Sequence, residues 1–155
     1  MIRPAASGDW PAIVALVSAS GLPTSDLTEA HVAHFLVAPA ASGAVRGCAA
    51  VEPYGDHCLL RSVAVAPEAR DQGLGGALVD VAVARAADLG IATLVLLTDT
   101  AEVFFRARGW APVERSDLPL AVRQSSEFSG SCCACAASLW RPVPSRAPAG
   151  ALDEA

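Results

Sequence analysis

The stretch from Arg61 to Leu78 constrains the fold of this chain more than any other part of the sequence. A run of apolar residues ends at a proline, Arg70 follows, and three glycines at positions 73, 75 and 76 open a long helical pattern. The first turn of a helix leaves several backbone N–H groups unpaired at the positive end of the helix dipole. Glycines let an anion approach those groups closely, and an arginine adds a permanent charge that binds phosphate oxygens. The stretch therefore predicts a pyrophosphate-binding loop between a strand and a helix.

The same stretch does not match two common phosphate-binding motifs. A dinucleotide-binding GxGxxG loop needs a third glycine where this chain has Leu78. A P-loop needs a lysine after its second glycine, and all 11 basic residues of this chain are arginines. The lack of lysine also excludes Schiff-base chemistry of the pyridoxal phosphate and lysine-aldolase kinds.

The overall charge and hydropathy exclude further classes of protein. A formal net charge of −5 argues against nucleic-acid binding, which needs a basic face to replace released counterions. No apolar stretch reaches the roughly 20 residues of a transmembrane helix, and the first ten residues show no leader pattern. We therefore expect a cytoplasmic protein without a membrane partner. The five cysteines are odd in number, so a disulfide framework is not expected.

The order of predicted elements indicates an α+β domain. Apolar runs predict strands over residues 2–5, 35–38, 44–52, 57–66 and 91–98, near 113 and over 133–141. Helical periodicity and capping residues predict helices over residues 10–21, 27–35, 72–89, 101–108 and 117–126. This order predicts a mixed sheet with helices on both faces, in one domain that spans residues 1–141. Residues 142–155, rich in Pro and Ala, are predicted to form a disordered tail.

Two segments resemble the GNAT N-acetyltransferases. The pattern Arg-x-x-Gly-x-Gly at residues 70–75, after Val-Ala-Val-x-Pro at 63–67, resembles the acetyl-CoA motif of that family. The later Phe-Phe-x-x-x-Gly-Trp at residues 104–110 resembles the family's Phe-Tyr-x-x-x-Gly-Phe segment. The resemblance implies the GNAT acyl-CoA N-acyltransferase fold, with a mixed, mostly antiparallel sheet. It also implies an acetyl-CoA-dependent enzyme that acetylates the amine of a small molecule, and a homodimer as the family's habitual assembly.

The resemblance further implies which residues bind acetyl-CoA. The strand that ends at Val65 would bind the pantetheine arm through its backbone, with an N–H near Val63 polarising the thioester carbonyl. The amides that follow Arg70 would hold the pyrophosphate. Thr98 has an alternative role as the N-cap of the next helix, and the glycines have one in tight helix packing. The cofactor-binding residues implied in this way are Val63, Ala64, Val65, Arg70, Asp71, Gln72, Gly73, Leu74, Gly75, Gly76, Thr98 and Phe105.

Two acid–base groups that many relatives use are missing from this chain. Leu59 stands where they carry a strand glutamate, and Phe105 stands where they carry the tyrosine that protonates the leaving thiolate. Glu52 and His57 flank a predicted four-residue turn, so we expect them to face each other across a hairpin as a catalytic acid–base pair. The alternative for this pair is a solvated cross-strand salt bridge.

Arg61 and His31 are the candidate substrate-binding residues. Arg61 lies among apolar residues and needs a partner, either a carboxylate of the acceptor or a protein acid such as Glu52. His31 lies on the second predicted helix, which the resemblance places over the acceptor site. It shares a face of that helix with His34, but no further ligand converges there, so we expect no metal site.

A narrower resemblance concerns the acceptor. Residues 60–65, residues 97–105 and the cysteine-rich end are similar to a GNAT branch found with bacterial arsenic-resistance operons. This similarity implies an amino-acid-like toxin as the acceptor. The thiols of Cys132, Cys133 and Cys135 suggest an alternative function, a non-catalytic CoA-binding or metalloid-sensing protein. Apolar packing is the alternative role for these small side chains.

Overall fold

The computed structural model describes residues 1–131 and 136–144, which form a seven-stranded sheet with helices on both of its faces. The α+β fold with a mixed sheet is therefore confirmed. The strands are β1 (Arg3–Pro4), β2 (Phe35–Pro39), β3 (Val45–Tyr54), β4 (His57–Val65), β5 (Thr93–Thr98), β6 (Ala111–Pro112) and β7 (Ala137–Pro142). The α-helices are α1 (Trp10–Ala19), α2 (Leu74–Asp88), α3 (Glu102–Arg106) and α4 (Leu120–Arg123). Short 3₁₀ segments cover Ser7–Asp9, Glu29–His34, Pro67–Ala69 and Arg115–Asp117, and a π-helical turn covers Glu127–Ser131.

The sheet is mostly antiparallel, as the resemblance implies. Its strand order is β1-β2-β3-β4-β5-β7-β6. The pairs β1/β2, β2/β3, β3/β4, β5/β7 and β6/β7 are antiparallel, whereas β4 and β5 are parallel. Parallel neighbours need a crossover connection, and α2 supplies it.

Each face of the sheet is covered by its own helices. On one face α2 and the α3 region pack over an apolar layer, to which α2 contributes Leu78, Val79, Ala82 and Ala86. On the other face α1 buries Ile13, Leu16 and Val17, which form the i, i+3, i+4 stripe of an amphipathic helix. A third cluster next to α4 holds Val95, Leu118 and Val122. The alternation of side chains along each strand makes this two-sided burial possible.

The parallel strands β4 and β5 separate partway along their length. They pair only at His57↔Thr93, Cys58↔Leu94 and Leu59↔Val95, although both strands continue further. Beyond that point the register between β3 and β4 shifts, and two residues of β4 oppose one of β3. One of the two is Ser62, whose φ of 57° lies in the left-handed region. Such a bulge bends its strand, and here it leaves a gap between β4 and β5.

The turn between β3 and β4 is shorter than the sequence predicts. Tyr54 and His57 already pair, so the turn consists of Gly55 and Asp56, with Gly55 at a φ of 69°. Pro53 remains in the strand instead of entering the turn. The pairing of β2 with β3 extends only to Ala50, so the missing N–H of Pro53 breaks no ladder on that side.

Several predicted elements have other bounds in the structure. The segment predicted as a helix over residues 27–35 forms a 3₁₀ segment, Glu29–His34, and the helix predicted over 117–126 is reduced to α4. Pro119 opposes a continuous helix here, because the residue before a proline is disfavoured in the helical region, and Leu118 has an extended ψ of 152°. The strand predicted from residue 133 begins at Ala137. The cysteines at 132, 133 and 135 and the tail from 145 onward lie outside the described residues. In the part of the chain that the structure describes, no helix is both long enough and apolar enough to cross a membrane.

We expect Leu78→Ala to lower the free energy of unfolding by about 2–5 kcal/mol, the usual cost of truncating a buried leucine. The Leu78 side chain is fully buried between α2 and the sheet, whereas Leu89, just after the same helix, is 50% exposed. Leu89→Ala is therefore the matched control, with an expected change of about 0.5 kcal/mol or less. Urea unfolding followed by circular dichroism measures both, and equal losses in the two variants would contradict this packing.

Candidate active site

A cleft opens where β4 and β5 separate. It has a volume of about 390 Å³, which falls within the usual range for small-molecule sites. Its floor is formed by residues 60–65 of β4 and 96–98 of β5. Its walls come from the loop after α1 (20–23), the loop before α3 (99–101) and three single side chains, Arg70, Phe105 and Glu127.

The backbone of β4 borders this cleft because the strand has lost its partner there. Within the described residues β4 pairs with β5 no further than Leu59, so its backbone groups beyond that point lie beside open space on the β5 side. Of the predicted cofactor-binding residues, Val63, Ala64 and Val65 line the cleft. The structure thus leaves a strand edge inside the cleft that can hydrogen-bond to an extended ligand.

The glycine turn lies directly after β4 and begins α2. Gly73 is the N-cap of α2, and its φ of 78° is favourable only for glycine. A Cβ at Gly73 would meet no heavy atom within 4 Å, and one at Gly75 would meet only the Val65 Cγ2 atom at 3.8 Å. These two glycines therefore leave open space at a helix N-terminus. Gly76 differs, because a Cβ there would meet the Arg108 guanidinium, the end of a flexible side chain that would have to move.

Arg70 lies at the end of the cleft nearest the glycine turn. Its Nε donates to the Val65 carbonyl oxygen at 3.1 Å, which anchors the guanidinium to the end of β4. The side chain is exposed, yet it lines the cleft. Gln72 in the same turn donates from its amide to the Glu68 carbonyl oxygen at 3.2 Å. The remaining predicted residues of this turn, Asp71 to Gly76, do not line the cleft itself and form the start of α2 beside it.

Thr98 and Phe105 form the opposite side of the cleft. The Thr98 hydroxyl accepts a hydrogen bond from the Ala101 N–H at 2.9 Å, so it stabilises the turn that begins α3. Thr98 also lines the cleft, but it is not the N-cap of α3, which is Ala101. The Phe105 ring is buried and packs edge-to-face on Trp110, with ring centroids 5.5 Å apart. It has no hydroxyl to offer as an acid at this position.

A buried cluster of charges surrounds Arg61 at one end of the cleft. The Arg61 guanidinium donates to both oxygens of Asp26, with Nη1–Oδ2 at 2.5 Å and Nη2–Oδ1 at 2.9 Å. Two more carboxylates lie nearby: Glu127 Oε1 is 3.4 Å from Nη2, and Glu52 Oε2 is 3.7 Å from Nη1. Ser126 adds a hydrogen bond from its hydroxyl to Asp26 Oδ2 at 2.6 Å. The expected partner for the buried arginine is thus present in the protein, and the principal one is Asp26.

The predicted pairing of Glu52 with His57 is wrong. The two-residue turn places Tyr54 opposite His57 and Leu59 opposite Glu52. His57 instead has its Nδ1 atom 2.7 Å from the exposed Asp56 carboxylate. Neither Glu52 nor His57 lines the cleft.

Glu52 contacts His31 rather than His57. The Thr28 N–H donates to His31 Nδ1 at 2.9 Å, and the Nε2 atom of the same ring is 3.4 Å from Glu52 Oε2. The Tyr54 hydroxyl donates to Glu52 Oε1 at 3.2 Å, and its burial together with the nearby Glu52 carboxylate raises the pKa of Tyr54 to about 12. His31 therefore lies next to the charge cluster, as a neighbour of Glu52.

Glu127, like Asp26, is a site residue that the sequence analysis missed. Its side chain is 5% exposed and forms part of the cleft wall. Burial raises the pKa of Glu127 to about 7, because Arg61 only partly offsets desolvation and the Asp26 and Glu52 carboxylates oppose ionisation further. The available signal was Arg61 itself, since a buried arginine needs acidic partners, but nothing in the spacing pointed to residue 127.

The described cysteines offer no reactive thiolate. Cys48 and Cys58 are both fully buried, and burial raises the pKa of each thiol to about 12. A thiol of that kind stays protonated at neutral pH and is a poor nucleophile. The chemistry of the cleft therefore has no cysteine nucleophile among the described residues.

The comparisons with known proteins agree with this architecture. A family model described as "Acetyltransferase (GNAT) domain" matches residues 31–112. The amino-acid acetyltransferase of Neisseria meningitidis is 29% identical over 137 residues, which cover 83% of this chain and 31% of that protein. This chain thus spans about a third of the length of that curated relative.

Two solved structures are similar over nearly the whole chain. The N-acetylglutamate synthase of Neisseria gonorrhoeae, complexed with coenzyme A and N-acetyl-glutamate, has a TM-score of 0.82 and 28% identity, and the match covers 93% of this chain and 35% of that one. The Rv2747 protein of Mycobacterium tuberculosis, in complex with CoA, has a TM-score of 0.77 and 25% identity, with 93% and 99% coverage.

Glu127→Gln is expected to change how stability depends on pH. The folded state raises the pKa of Glu127 from its ordinary 4.5 to about 7, so protonation of Glu127 increases the free energy of unfolding. This stabilisation is lost as the pH rises from about 4.5 to 7. The wild-type chain should therefore lose on the order of 3 kcal/mol relative to Glu127→Gln between pH 4.5 and pH 8. Urea unfolding at both pH values measures the difference. Parallel pH dependence in the two proteins would contradict the shifted pKa.

Proposed function

We propose, because the chain belongs to the GNAT acetyltransferase family, that it transfers the acetyl group of acetyl-CoA to the amine of a small amino-acid-like acceptor. The observation that carries this proposal is the cleft between the separated strands β4 and β5, together with the glycine turn that follows β4 and begins α2. The similar protein from Neisseria meningitidis is an amino-acid acetyltransferase, which supports this acceptor class. The bound coenzyme A in two similar structures supports the same donor.

The residues of the cleft fit an acetyl-CoA molecule. The pantetheine arm carries amides, and the edge of β4 at Val63 and Val65 offers N–H and C=O groups to them. The N–H groups at the start of α2, the space at Gly73 and Gly75 and the Arg70 charge suit a pyrophosphate. When bound, acetyl-CoA supplies an activated acetyl thioester.

The chain's own contribution would be to position the thioester and the acceptor amine. A backbone N–H near Val63 would donate to the thioester carbonyl oxygen as negative charge develops on it. Phe105 and the apolar floor would exclude water from the reacting atoms. Leu59 and Phe105 replace the usual acid–base groups, so positioning of the reactants contributes more of the rate acceleration. Glu52 and His57 stay predictions as catalytic groups.

The acceptor is proposed to be an amino acid or a close analogue. The relatives' names support an α-amine as the reacting group. The similarity of residues 60–65 and 97–105 to the arsenic-resistance branch supports a finer proposal, an arsenic- or phosphorus-containing amino acid. We also propose a cytoplasmic, homodimeric protein, on the grounds of sequence and family habit.

A turnover screen tests the proposal. CoA thiol release from acetyl-CoA would be followed with free amino acids, with phosphinic and arsinic amino-acid analogues, and with short peptides. We expect release with at least one free amino acid or analogue and none with peptides. Binding of acetyl-CoA without turnover of any amine would contradict the enzyme proposal and favour the non-catalytic CoA-binding alternative.

Gly75→Val is expected to weaken acetyl-CoA binding at least tenfold, because the added side chain would occupy the space at the start of α2. The substitution should leave the fold intact, since a Cβ at Gly75 meets only one neighbouring atom, at 3.8 Å. Gly73→Val should weaken binding as well, but its positive φ adds backbone strain, so Gly75 is the cleaner probe. Arg70→Ala should weaken binding less than Gly75→Val, because the amides remain.

Gly8→Val is the matched control for Gly75→Val. A Cβ at Gly8 would meet no heavy atom within 4 Å, and the φ of this glycine is not positive. Gly8 also does not line the cleft, so its substitution should leave the affinity for acetyl-CoA unchanged. Isothermal titration calorimetry with acetyl-CoA measures all four variants. Unchanged affinity in both Gly73→Val and Gly75→Val would contradict the assignment of the glycine turn.

A further inference from the structure

We propose that the Glu127 carboxylate accepts the proton that the acceptor's ammonium group must lose before it attacks the thioester. The proposal rests on the proposed acetyltransferase function and assigns a residue to its proton-transfer step. Glu127 belongs to the π-helical turn after α4, outside the matched family segment of residues 31–112. It lies in the wall of the same cleft whose floor is the β4 edge.

The position of Glu127 suits proton transfer to a bound amine. The residue is 5% exposed, so its carboxylate is shielded from bulk water. It nevertheless lines the cleft, and of the three acids around Arg61 it is the one that does so. An amine bound in the cleft can therefore reach Glu127 directly or through one water, which is the reach that a general base needs. Asp26 and Glu52 contact the guanidinium without lining the cleft.

The charge balance of the cluster favours a cationic ligand. The Asp26 carboxylate already binds the Arg61 guanidinium with both oxygens, so that pair is close to neutral. The carboxylates of Glu127 and Glu52 remain as excess negative charge in a low-dielectric region. An acceptor ammonium would offset this charge, whereas an acceptor carboxylate would add to it. We therefore infer that the amine end of the acceptor, in its ammonium form, approaches this end of the cleft.

Each element around Glu127 contributes to its ionisation. The groups that face it are the Arg61 guanidinium from β4, the Glu52 carboxylate from β3 and the Asp26 carboxylate. Asp26 lies in the loop before the 3₁₀ segment Glu29–His34. Behind Glu52 lie the His31 ring and the Tyr54 hydroxyl. Burial raises the pKa of Glu127 to about 7, with the Arg61 guanidinium opposing the rise and the Asp26 and Glu52 carboxylates adding to it. A base with a pKa near the working pH is present partly in its ionised form and still holds a proton firmly, which is the most effective balance for general-base catalysis.

The proton-transfer step is balanced as follows. An N–H bond of the acceptor ammonium breaks, its proton forms an O–H bond with the Glu127 carboxylate, and the nitrogen keeps the electron pair. That pair forms the new C–N bond to the acetyl carbon, and the C–S bond breaks with its electrons on sulfur. A second proton from nitrogen neutralises the CoA thiolate. Glu127 then returns its proton to water, so one proton is released per acetyl group transferred.

Glu127→Gln tests this role, because it keeps the size of the side chain and removes the base. With an acceptor from the turnover screen, we expect kcat/KM at pH 7 to fall by about 10²–10⁴-fold, with the KM for acetyl-CoA unchanged within threefold. In the wild type, kcat/KM should rise with pH through an apparent pKa of about 7 and fall near the pKa of the amine. In Glu127→Gln the pH profile of kcat/KM should lose its inflection near pH 7, and kcat/KM should rise steadily toward the pKa of the amine. Glu114→Gln, which removes an exposed carboxylate outside the cleft lining, should match the wild type.

A second measurement needs no catalysis. Carbon-13 NMR of the side-chain carboxyls in the wild-type chain without ligands should show one resonance that titrates near 7 and disappears in Glu127→Gln. A midpoint near the ordinary 4.5 would overturn the proposal. Wild-type turnover together with Glu127→Gln activity within threefold would overturn this role alone, whereas a wild-type chain that turns over no amine would overturn the proposed function and this role with it.

Discussion

β4 and β5 share three residue pairs and then part where β4 forms the bulge at Ser62. Had the ladder continued to the ends of both strands, their backbone groups would have paired with each other and filled the gap between them. Because the strands part, the edge of β4 borders a cleft of about 390 Å³, and the glycine turn at the start of α2 follows at one end of it. The other end holds Arg61 and its acids. The proposed donor and acceptor positions thus depend on one interruption of the sheet.

The Arg61 cluster joins parts of the chain that are far apart in sequence. Asp26 lies before the 3₁₀ segment Glu29–His34, Glu52 lies on β3, Arg61 lies on the neighbouring strand β4, and Glu127 follows α4. Removing charges from water is costly, and an arginine with three carboxylates is not a balanced set. A cluster of this kind costs stability at neutral and higher pH, as the raised pKa of Glu127 indicates. The same imbalance provides a base in the wall of the cleft between β4 and β5.

The sequence predicted the parts that depend on local chemistry. The apolar stripe of α1, the glycine start of α2 and the buried strand β5 follow from spacing and capping rules, and the structure contains them. Predictions that depended on tertiary contacts were wrong or incomplete. The register of the β3–β4 hairpin depends on whether Pro53 can stay in β3. Pro53 can stay there because β2 no longer pairs with β3 at that point, which the local sequence does not reveal. The partners of Arg61 were set by packing, so a pattern search along the chain could not select Asp26 or Glu127.

Hydrogen–deuterium exchange with and without acetyl-CoA tests the central claim, that the unpaired edge of β4 and the glycine turn hold the donor. Exchange reports the opening of individual backbone hydrogen bonds, so it can locate the contact without a variant. We predict that acetyl-CoA slows exchange in peptides covering residues 60–66 and 70–77 and leaves the β6 region, residues 110–118, unchanged. The acetyl-CoA concentration must be one that calorimetry shows to be saturating. If exchange is then unaffected in both β4 and the glycine turn, the account is contradicted.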